Sequence, residues 1–191
     1  QAGDRPGIDY RRWDGIQLSI RWYVDSTVGQ GWLSDSIEQL LLHPHYLNDP
    51  PDQSNIIEDF FEAPTDVDDR FGFEMEGWFL APSDGSYIFH IAADDGAHLW
   101  LGDTIDAGLA AGHIASVPGF TSPRQWDKYA SQTSSPQRLS SGKKYWVRAT
   151  VGTDCWDEGG GDNLAVGVEG PGGLTLMPIP VSGYMFLNYH G

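Results

Sequence analysis

Two adjacent aspartates, Asp94 and Asp95, stand in the stretch IAADDGAHLWL, between the end of one predicted strand and the start of the next. Neighbouring side chains of an extended strand point to opposite faces, so consecutive carboxylates converge only where the backbone leaves the extended trans form. A cis peptide bond does this, because it shortens the Cα–Cα separation to about 2.9 Å. Converging carboxylates would suit Ca²⁺, a hard cation that prefers oxygen ligands. The simpler alternative is an Asp-Asp-Gly turn exposed to water.

Other acidic or histidine-containing stretches do not match the spacing of known metal sites. Residues 66–74 (DVDDRFGFE) carry spaced carboxylates, but an EF-hand loop starting at Asp66 needs a glycine where Phe71 stands. His43 and His45 have no Cys or His cluster beside them, so we expect a solvated or turn role rather than zinc binding.

Nucleophilic and phosphate-binding motifs are also missing from the sequence. The run Gly159–Gly161 is not followed by the Lys-Ser/Thr of a phosphate loop, and acidic residues surround it. Cys155 is the only cysteine, and the neighbouring Asp154 and Asp157 oppose thiolate formation. Because no nucleophile elbow, metalloprotease helix or convincing acid/base pair is found, we expect that the protein is not an enzyme.

The charge of the chain excludes several classes of partner. Eleven basic and 27 acidic residues give a formal net charge of −16, which repels phosphate backbones and anionic lipid heads. We therefore expect no nucleic acid partner. No stretch approaches the ~20 apolar residues of a membrane span, so we expect no direct membrane insertion. The first residues, 1–5, do not look like a signal peptide, and we expect a piece of a larger multidomain protein.

Alternating apolar residues and frequent turn residues predict a mostly β fold. The 24 glycines and 12 prolines interrupt the chain often, which favours short strands over long helices. Predicted strands lie at residues 16–24, 71–81 and 87–93 and in AHLWLGD, KKYWVRATV, NLAVGVEG and YMFLNY. The turn SDGS between the second and third of these predicts a hairpin. The number of strands suits a β-sandwich or a barrel-like sandwich.

One helix and two less regular segments complete the prediction. Asp35 can cap a helix with Glu38 three residues on, and Pro44 limits this helix to about two turns. Residues 50–70 are polar and rich in proline, which is typical of a long surface connection with at most a short strand at IIEDFF. Residues 106–123 are predicted to be irregular.

Three segments in a fixed order resemble the PA14 family. They are GWFLAPSDGSYIFHIAADDGAHLWLGD, VPGFTSPRQWDKYASQTSSPQRLSSGKKYWVRA and EGGGDNLAVGVEGPGG. The similarity runs from about Trp13 to the C-terminus and implies a single PA14-like domain over residues 1–191. It implies an all-β, PA14-like β-sandwich with one or two short helices. In the sugar-binding members of the family, an Asp-cis-Asp pair holds Ca²⁺, which chelates neighbouring hydroxyls of a glycan.

The resemblance assigns candidate metal ligands. Asp94 and Asp95 align with the family's calcium-binding pair, and residues 152–163 correspond to the loop that normally completes the shell. This loop departs from the shorter loop of the yeast adhesins. Asp154 and Asp162 are the side-chain candidates, together with backbone carbonyls near residues 156 and 157. Alternatively, Asp162 or its neighbour Asn163 fastens the loop to its own backbone.

The same resemblance suggests residues that would contact a sugar. Trp156 in the candidate loop could offer an apolar face to the ring, and Asp157 stands beside it. His113 and Trp126 lie in the other irregular segment and could shape the rim. For each of the aromatic candidates, core packing or turn stabilisation is the alternative.

The function implied is calcium-dependent, lectin-like binding of extracellular or cell-surface glycans that carry vicinal hydroxyls. We expect a non-enzymatic adhesion module of an extracellular or cell-surface protein. Single sugars would bind with millimolar to micromolar affinity, about 4 to 8 kcal/mol. The alternative is a structural or protein-interaction spacer in which Ca²⁺ only stabilises loops.

Overall fold

Two antiparallel β-sheets packed face to face form the fold, and this confirms the predicted all-β sandwich. The computed structural model describes residues 4–18, 21–25, 29–33, 36–65, 70–153 and 162–187. Within this part of the chain three short α-helices occur, one more than the expected maximum of two. None of the helices there is long and apolar enough to cross a membrane.

The strands fall into two main sheets and one small ladder. In chain order they are β1 (Ile8–Asp14), β2 (Arg21–Asp25), β3 (Gly29–Leu33), β4 (Gln53–Ile57), β5 (Phe71–Leu80), β6 (Gly85–Asp94), β7 (Gly96–Gly102), β8 (Ala115–Val117), β9 (Gln137–Leu139), β10 (Lys144–Gly152), β11 (Asn163–Gly170), β12 (Leu174–Leu176) and β13 (Met185–Phe186). The first sheet has seven strands, ordered β4-β1-β5-β10-β7-β8 with β13 paired to β5. The second sheet has four strands, ordered β12-β11-β6-β9, while β2 and β3 pair only with each other.

The core lies between the inner faces of the two main sheets. On β5 the predicted alternation is confirmed, since Phe71, Phe73, Met75 and Phe79 are all buried in one cluster. The Phe79 ring centroid lies 5.6 Å from that of Phe89 on the opposite sheet, in an edge-to-face arrangement. Burial of each such ring contributes about 1.5–3 kcal/mol.

The outer face of β5 carries Glu74 and Glu76, which are only 3% and 4% exposed. Arg11 on β1 lies 3.1 Å from Glu74 and 3.0 Å from Glu76, and Arg148 on β10 donates to Glu76 over 2.7 Å. Tyr46 donates a hydrogen bond of 2.6 Å to Glu74. The alternation therefore marks the outer face of this strand correctly, but cationic partners cover this face and keep it from water.

The predicted hairpin of residues 71–81 and 87–93 is wrong. Strand β5 lies in the first sheet, where it pairs with β1, β10 and β13, whereas β6 lies in the second sheet beside β11 and β9. The SDGS turn therefore carries the chain from one layer to the other. A turn signal reports a local reversal of the chain but not which strands complete each ladder, because those partners are distant in sequence.

The segment at 106–123 is also more regular than predicted. It contains most of helix α3 (Ile105–Ala111) and all of β8. Thr104 caps the helix by accepting a hydrogen bond from the Ala107 N–H, and Gly112 ends it with a φ of 85°. Gly108 allows close packing, because a Cβ there would lie 2.5 Å from the Trp146 ring. Small residues led to the prediction of an irregular segment, but Gly108 is the residue that allows the helix to pack against Trp146.

The predicted N-terminal strand and first helix are correct in part. Of residues 16–24, the strand β2 includes only those from Arg21 onward, while Ile16 and Leu18 join a separate small apolar cluster. That cluster includes side chains of the predicted helix, α1 (Ser36–Leu41). Asp35, the predicted cap, lies outside the described residues. Pro44 starts a further helix, α2 (Pro44–Asn48), because proline suits the first helical turn.

The predicted surface connection at 50–70 contains one short strand, β4, at a slightly earlier position than IIEDFF. Its ladder partner is β1, and Gln53 to Ile56 are exposed at the edge of the first sheet. Phe61 turns inward and is fully buried.

Candidate functional site

Asp94 and Asp95 lie where the chain crosses from the second sheet to the first. Asp94 is the last residue of β6 and Gly96 is the first residue of β7, so Asp95 alone joins the two layers. The peptide bond between the aspartates is cis, as expected. Both side chains are half-buried. The crossing therefore presents two adjacent carboxylates at one end of the sandwich.

A second crossing between the sheets lies directly beside the first. Strand β10 ends at Gly152, opposite Gly96, and β11 begins at Asn163, opposite Asp94. Both ends of the predicted loop at 152–163 are thus adjacent to the aspartate pair. The pairing of strands, rather than any local motif, brings them together.

Thr153 fastens the first end of this loop to the first sheet. Its N–H donates to the Phe71 carbonyl over 3.1 Å, its hydroxyl accepts from the Phe71 N–H over 3.1 Å, and the same hydroxyl donates to that carbonyl over 2.6 Å. Thr153 is 1% exposed. A buried hydroxyl that both donates and accepts has its hydrogen bonds satisfied and holds the backbone in place.

Thr121 makes the same set of bonds on the second sheet. Its N–H donates to the Ala93 carbonyl over 2.7 Å, and its hydroxyl accepts from the Ala93 N–H over 3.0 Å and donates to the same carbonyl over 3.2 Å. The Asn163 amide donates to the Thr121 carbonyl over 2.9 Å. Thr121 therefore links the residue before the aspartate pair to the start of β11.

The segment 119–132, which we call the rim loop, carries Thr121 and runs beside the pair. Phe120 forms an isolated antiparallel bridge with Asp94, and its side chain is 46% exposed. The Lys128 ammonium donates to the Phe120 carbonyl over 2.6 Å and lies 3.4 Å from the centroid of the Phe120 ring. Gln132 anchors the far end of the loop by donating to the Ile91 carbonyl over 2.8 Å.

The family of this two-sheet fold, with its two neighbouring crossings, follows from a comparison of the sequence with models of known families. A sequence model of the PA14 domain family matches residues 51–152, more than half of the 191 residues. The chain belongs to the PA14 family. The matched range includes the aspartate pair, the rim loop and the start of the second crossing.

Solved PA14-like domains share this fold over nearly the whole chain. The A domain of epithelial adhesin 9 from Candida glabrata, in complex with Galb1-4GlcNAc, gives a TM-score of 0.58 at 13% identity, covering 96% of this chain and 95% of that chain. The PA14 sugar-binding domain of an RTX adhesin gives a TM-score of 0.56 at 16% identity, covering 96% of this chain and 99% of that chain. These likenesses establish a shared fold.

A curated mouse protein is similar over about half of the chain. N-acetyl-beta-glucosaminyl-glycoprotein 4-beta-N-acetylgalactosaminyltransferase 1 is 28% identical over 103 residues, which cover 51% of this chain. The chain spans only 10% of the length of that protein. The similarity is therefore to one small part of a much larger protein.

The predicted ligands in the second loop of this PA14 domain are only partly described. Asp154, Trp156 and Asp157 lie outside the described residues, so their roles stay predictions. Asp162 is half-buried just before β11. Burial raises the pKa of Tyr10 to about 12, and the nearby negative charge of Asp162 contributes to this rise. Asp162 therefore lies close enough to Tyr10 of β1 for their charges to interact.

The donor set at the crossing suits calcium better than a softer metal. Its two carboxylates are hard oxygen ligands, and backbone carbonyls of a crossing loop are a further source of oxygen. Within the described ranges, no three His, Cys, Asp or Glu side chains form a group that could hold a metal ion. Asp94 and Asp95 would thus provide only part of a calcium shell, which needs about six to eight oxygens.

The two predicted rim residues in the described part of the chain lie in different surroundings. Trp126 is half-buried within the rim loop. His113 stacks on His98 of β7, with ring centroids 3.9 Å apart, and His98 in turn lies 3.3 Å from Glu38 of α1. Burial and the neighbouring His98 lower the pKa of His113. Contact of either residue with a sugar stays a prediction.

The two histidines around Pro44 have the predicted turn role. His43 caps α2 by accepting a hydrogen bond from the His45 N–H, and His45 lies between Asp49 and Asp52. The contacts of Thr121 and Thr153, in contrast, are absent from the sequence-based prediction. Their partners are 28 and 82 residues away, so no local signal could have revealed them.

Proposed function

We propose that this PA14 domain is a non-enzymatic, calcium-dependent carbohydrate-binding module. The observation that carries the proposal is the position of Asp94 and Asp95 at a sheet crossing, directly beside both ends of the 152–163 loop. The fold shared with a sugar-binding domain of an RTX adhesin and with a glycan-bound adhesin A domain supports it. We place the module in an adhesion protein outside the cell or at its surface.

Asp94 and Asp95 would hold Ca²⁺ through their carboxylates, and further oxygens would come from the 152–163 loop. When bound, the ion offers remaining coordination positions to neighbouring hydroxyls of a glycan. Thr121 and Thr153 fix the two crossings through hydrogen bonds, and the partly exposed Phe120 ring lies on the residue that bridges Asp94. Affinity for single sugars would be modest, so adhesion would depend on many modules binding at once.

Titration calorimetry combined with a glycan array tests this proposal. We expect heat from calcium binding to the metal-free protein, glycan signals only with calcium present, and loss of these signals after a chelator is added. If calcium binds and raises the melting temperature but no glycan of a broad array or monosaccharide set is retained, the spacer alternative is favoured. If calcium does not bind, both the lectin and the spacer hypotheses for the aspartate pair fail.

A further inference from the structure

Lys128 differs from the other lysines of the chain in its partners. The sequence contains three lysines, and Lys143 and Lys144 each pair with a carboxylate, of Asp103 and Asp4 respectively. In the described part of the chain, the contacts of Lys128 are instead the carbonyl and ring of Phe120 and, at 5.2 Å, the ring of Tyr129. In a chain with a net charge of −16, no salt bridge within 4 Å joins this ammonium group to a carboxylate of the described residues.

The position of this ammonium connects it to the candidate site. Lys128 binds the carbonyl of Phe120, and Phe120 is the residue bridged to Asp94. The rim loop that carries both residues is fixed to β6 at Ala93 through Thr121 and at Ile91 through Gln132. The cation is therefore connected to the aspartate pair through the hydrogen bonds of the rim loop.

The chemistry of Lys128 and Phe120 together defines a type of ligand. An ammonium group has three donors. One donates to the Phe120 carbonyl and one faces the Phe120 ring, which leaves one donor of this exposed side chain for a ligand. Lys128 covers one face of the Phe120 ring, and the remaining exposed part of the ring is apolar and suits the C–H groups of a sugar. A cation beside such an apolar surface, next to a site for vicinal hydroxyls, matches a sugar that also carries a carboxylate.

We propose that Lys128 and Phe120 form a second contact that makes the domain prefer uronic acids over the corresponding neutral sugars. This inference rests on the proposed function and specifies its ligand class. The overall negative charge does not oppose it strongly, because charges beyond about 8 Å are largely screened at physiological ionic strength. A charge-assisted hydrogen bond from Lys128 acts at contact distance, where screening is weakest.

Matched sugar pairs provide the test: galactose with galacturonate, glucose with glucuronate, and mannose with mannuronate. Each pair keeps its ring hydroxyls and differs at C6. For at least one pair we expect the calcium-loaded protein to bind the acid about tenfold more tightly, equivalent to about 1.4 kcal/mol. Lys128→Gln should bring the ratio of acid to neutral affinity close to one, and Lys128→Arg should retain most of the preference.

Lys143→Gln is the control, because it removes the same charge near the start of β10, at the opposite end from Gly152 and the aspartate pair. Melting temperatures of the variants report any loss of folding. A preference that survives Lys128→Gln would overturn the inference, because the carboxylate would then bind calcium directly. Equal affinities for acid and neutral sugars in the unmodified protein would also overturn it while leaving the proposed function intact. Absence of binding to every sugar would overturn both.

Discussion

Asn163 stands directly opposite Asp94 where β11 begins and β6 ends, and its side-chain amide donates to the Thr121 carbonyl over 2.9 Å. Phe120 bridges Asp94 through the backbone on the other side. The aspartate is therefore held between β11 and the rim loop, and Thr121 connects the two. Asn163, Thr121 and Phe120 thus set the position of Asp94, although we do not assign them as calcium ligands.

The first prediction concerns Thr121. We expect Thr121→Val to lower calcium affinity several-fold and to reduce the free energy of unfolding by about 1–3 kcal/mol, because the variant leaves the buried Ala93 N–H without its hydroxyl partner. Calcium titration and urea unfolding measure the two effects.

Thr121→Ser keeps the hydroxyl and should retain most of the calcium affinity. Thr175→Val is a control for the same substitution at an exposed site, where the hydroxyl makes only a 3.5 Å contact with the Gly173 carbonyl. Equal calcium affinities of the Thr121→Val and Thr121→Ser variants would show that the hydroxyl has no part in positioning the pair.

The second prediction concerns the carboxylates themselves. Asp94→Asn and Asp95→Asn each remove one anionic oxygen donor, and we expect either variant to lose most calcium binding and all calcium-dependent glycan binding. The folded state should persist, because asparagine has nearly the same shape. Calorimetry with calcium and circular dichroism of the metal-free variants measure these properties.

Asp106→Asn is the matched control, since Asp106 lies in the first turn of α3, after the opposite end of β7. It should leave calcium binding unchanged. If both the Asp94 and the Asp95 variants bind calcium as tightly as the unmodified protein, the calcium site does not include this pair.

The third prediction concerns the ionic cluster on the outer face of the first sheet. Arg148→Met should destabilise the fold by about 3 kcal/mol, because it leaves Glu74 and Glu76 buried with Arg11 as their remaining cation. The double variant Arg148→Met/Glu76→Gln should recover part of this loss. Chemical unfolding at about pH 7 measures both, and Arg138→Met, at an exposed position, should change stability by less than about 0.5 kcal/mol.

The pH dependence of this cluster follows from Glu76. Its burial favours the neutral acid, but the attraction of Arg148 and Arg11 outweighs this, so the pKa of Glu76 lies below its ordinary value. A carboxylate with a lowered pKa stabilises the fold above its unfolded pKa, about 4.3, and this contribution is lost as the pH falls through the folded value. The effect of Arg148→Met should therefore shrink in acid. A constant effect down to about pH 2 would contradict the ionic explanation.

The fourth prediction concerns His45, whose ring nitrogens lie 2.8 Å from Asp49 and 2.9 Å from Asp52. Hydrogen bonds to these carboxylates raise the pKa of His45. The stabilisation is fully present below the unfolded pKa of about 6.5 and is lost as the pH rises through the folded value. His45→Gln should therefore destabilise the protein more at about pH 5.5 than at about pH 8.5.

Unfolding curves at the two pH values measure this difference. In an Asp49→Asn/Asp52→Asn background, His45→Gln should show a much smaller dependence on pH, because the charged partners are gone. If His45→Gln destabilises the protein more at the higher pH, the ion-pair explanation is contradicted.

The sequence predicts the strands and the aspartate pair between two of them, but not which sheet each strand joins. Alternation along β5, β6, β10 and β11 follows from side-chain period, and Asp94 and Asp95 are visible as an unusual dipeptide between two strands. The hairpin between β5 and β6 is wrong, because the turn residues at 83–86 do not determine which sheet each strand joins. The missed helix α3 depends on the close contact between Gly108 and Trp146, which lies on a distant strand.

Strand periodicity and the order of segments are properties of neighbouring residues, so the sequence is enough to predict the family, the all-β class and the adjacent acidic pair. The folded structure adds that the pair lies at a crossing between sheets, with Asn163 and Gly152 beside it and Thr121 and Thr153 as anchors. These relationships arise from ladders and hydrogen bonds between residues far apart in the chain. Only the folded register of the strands brings such residues into contact.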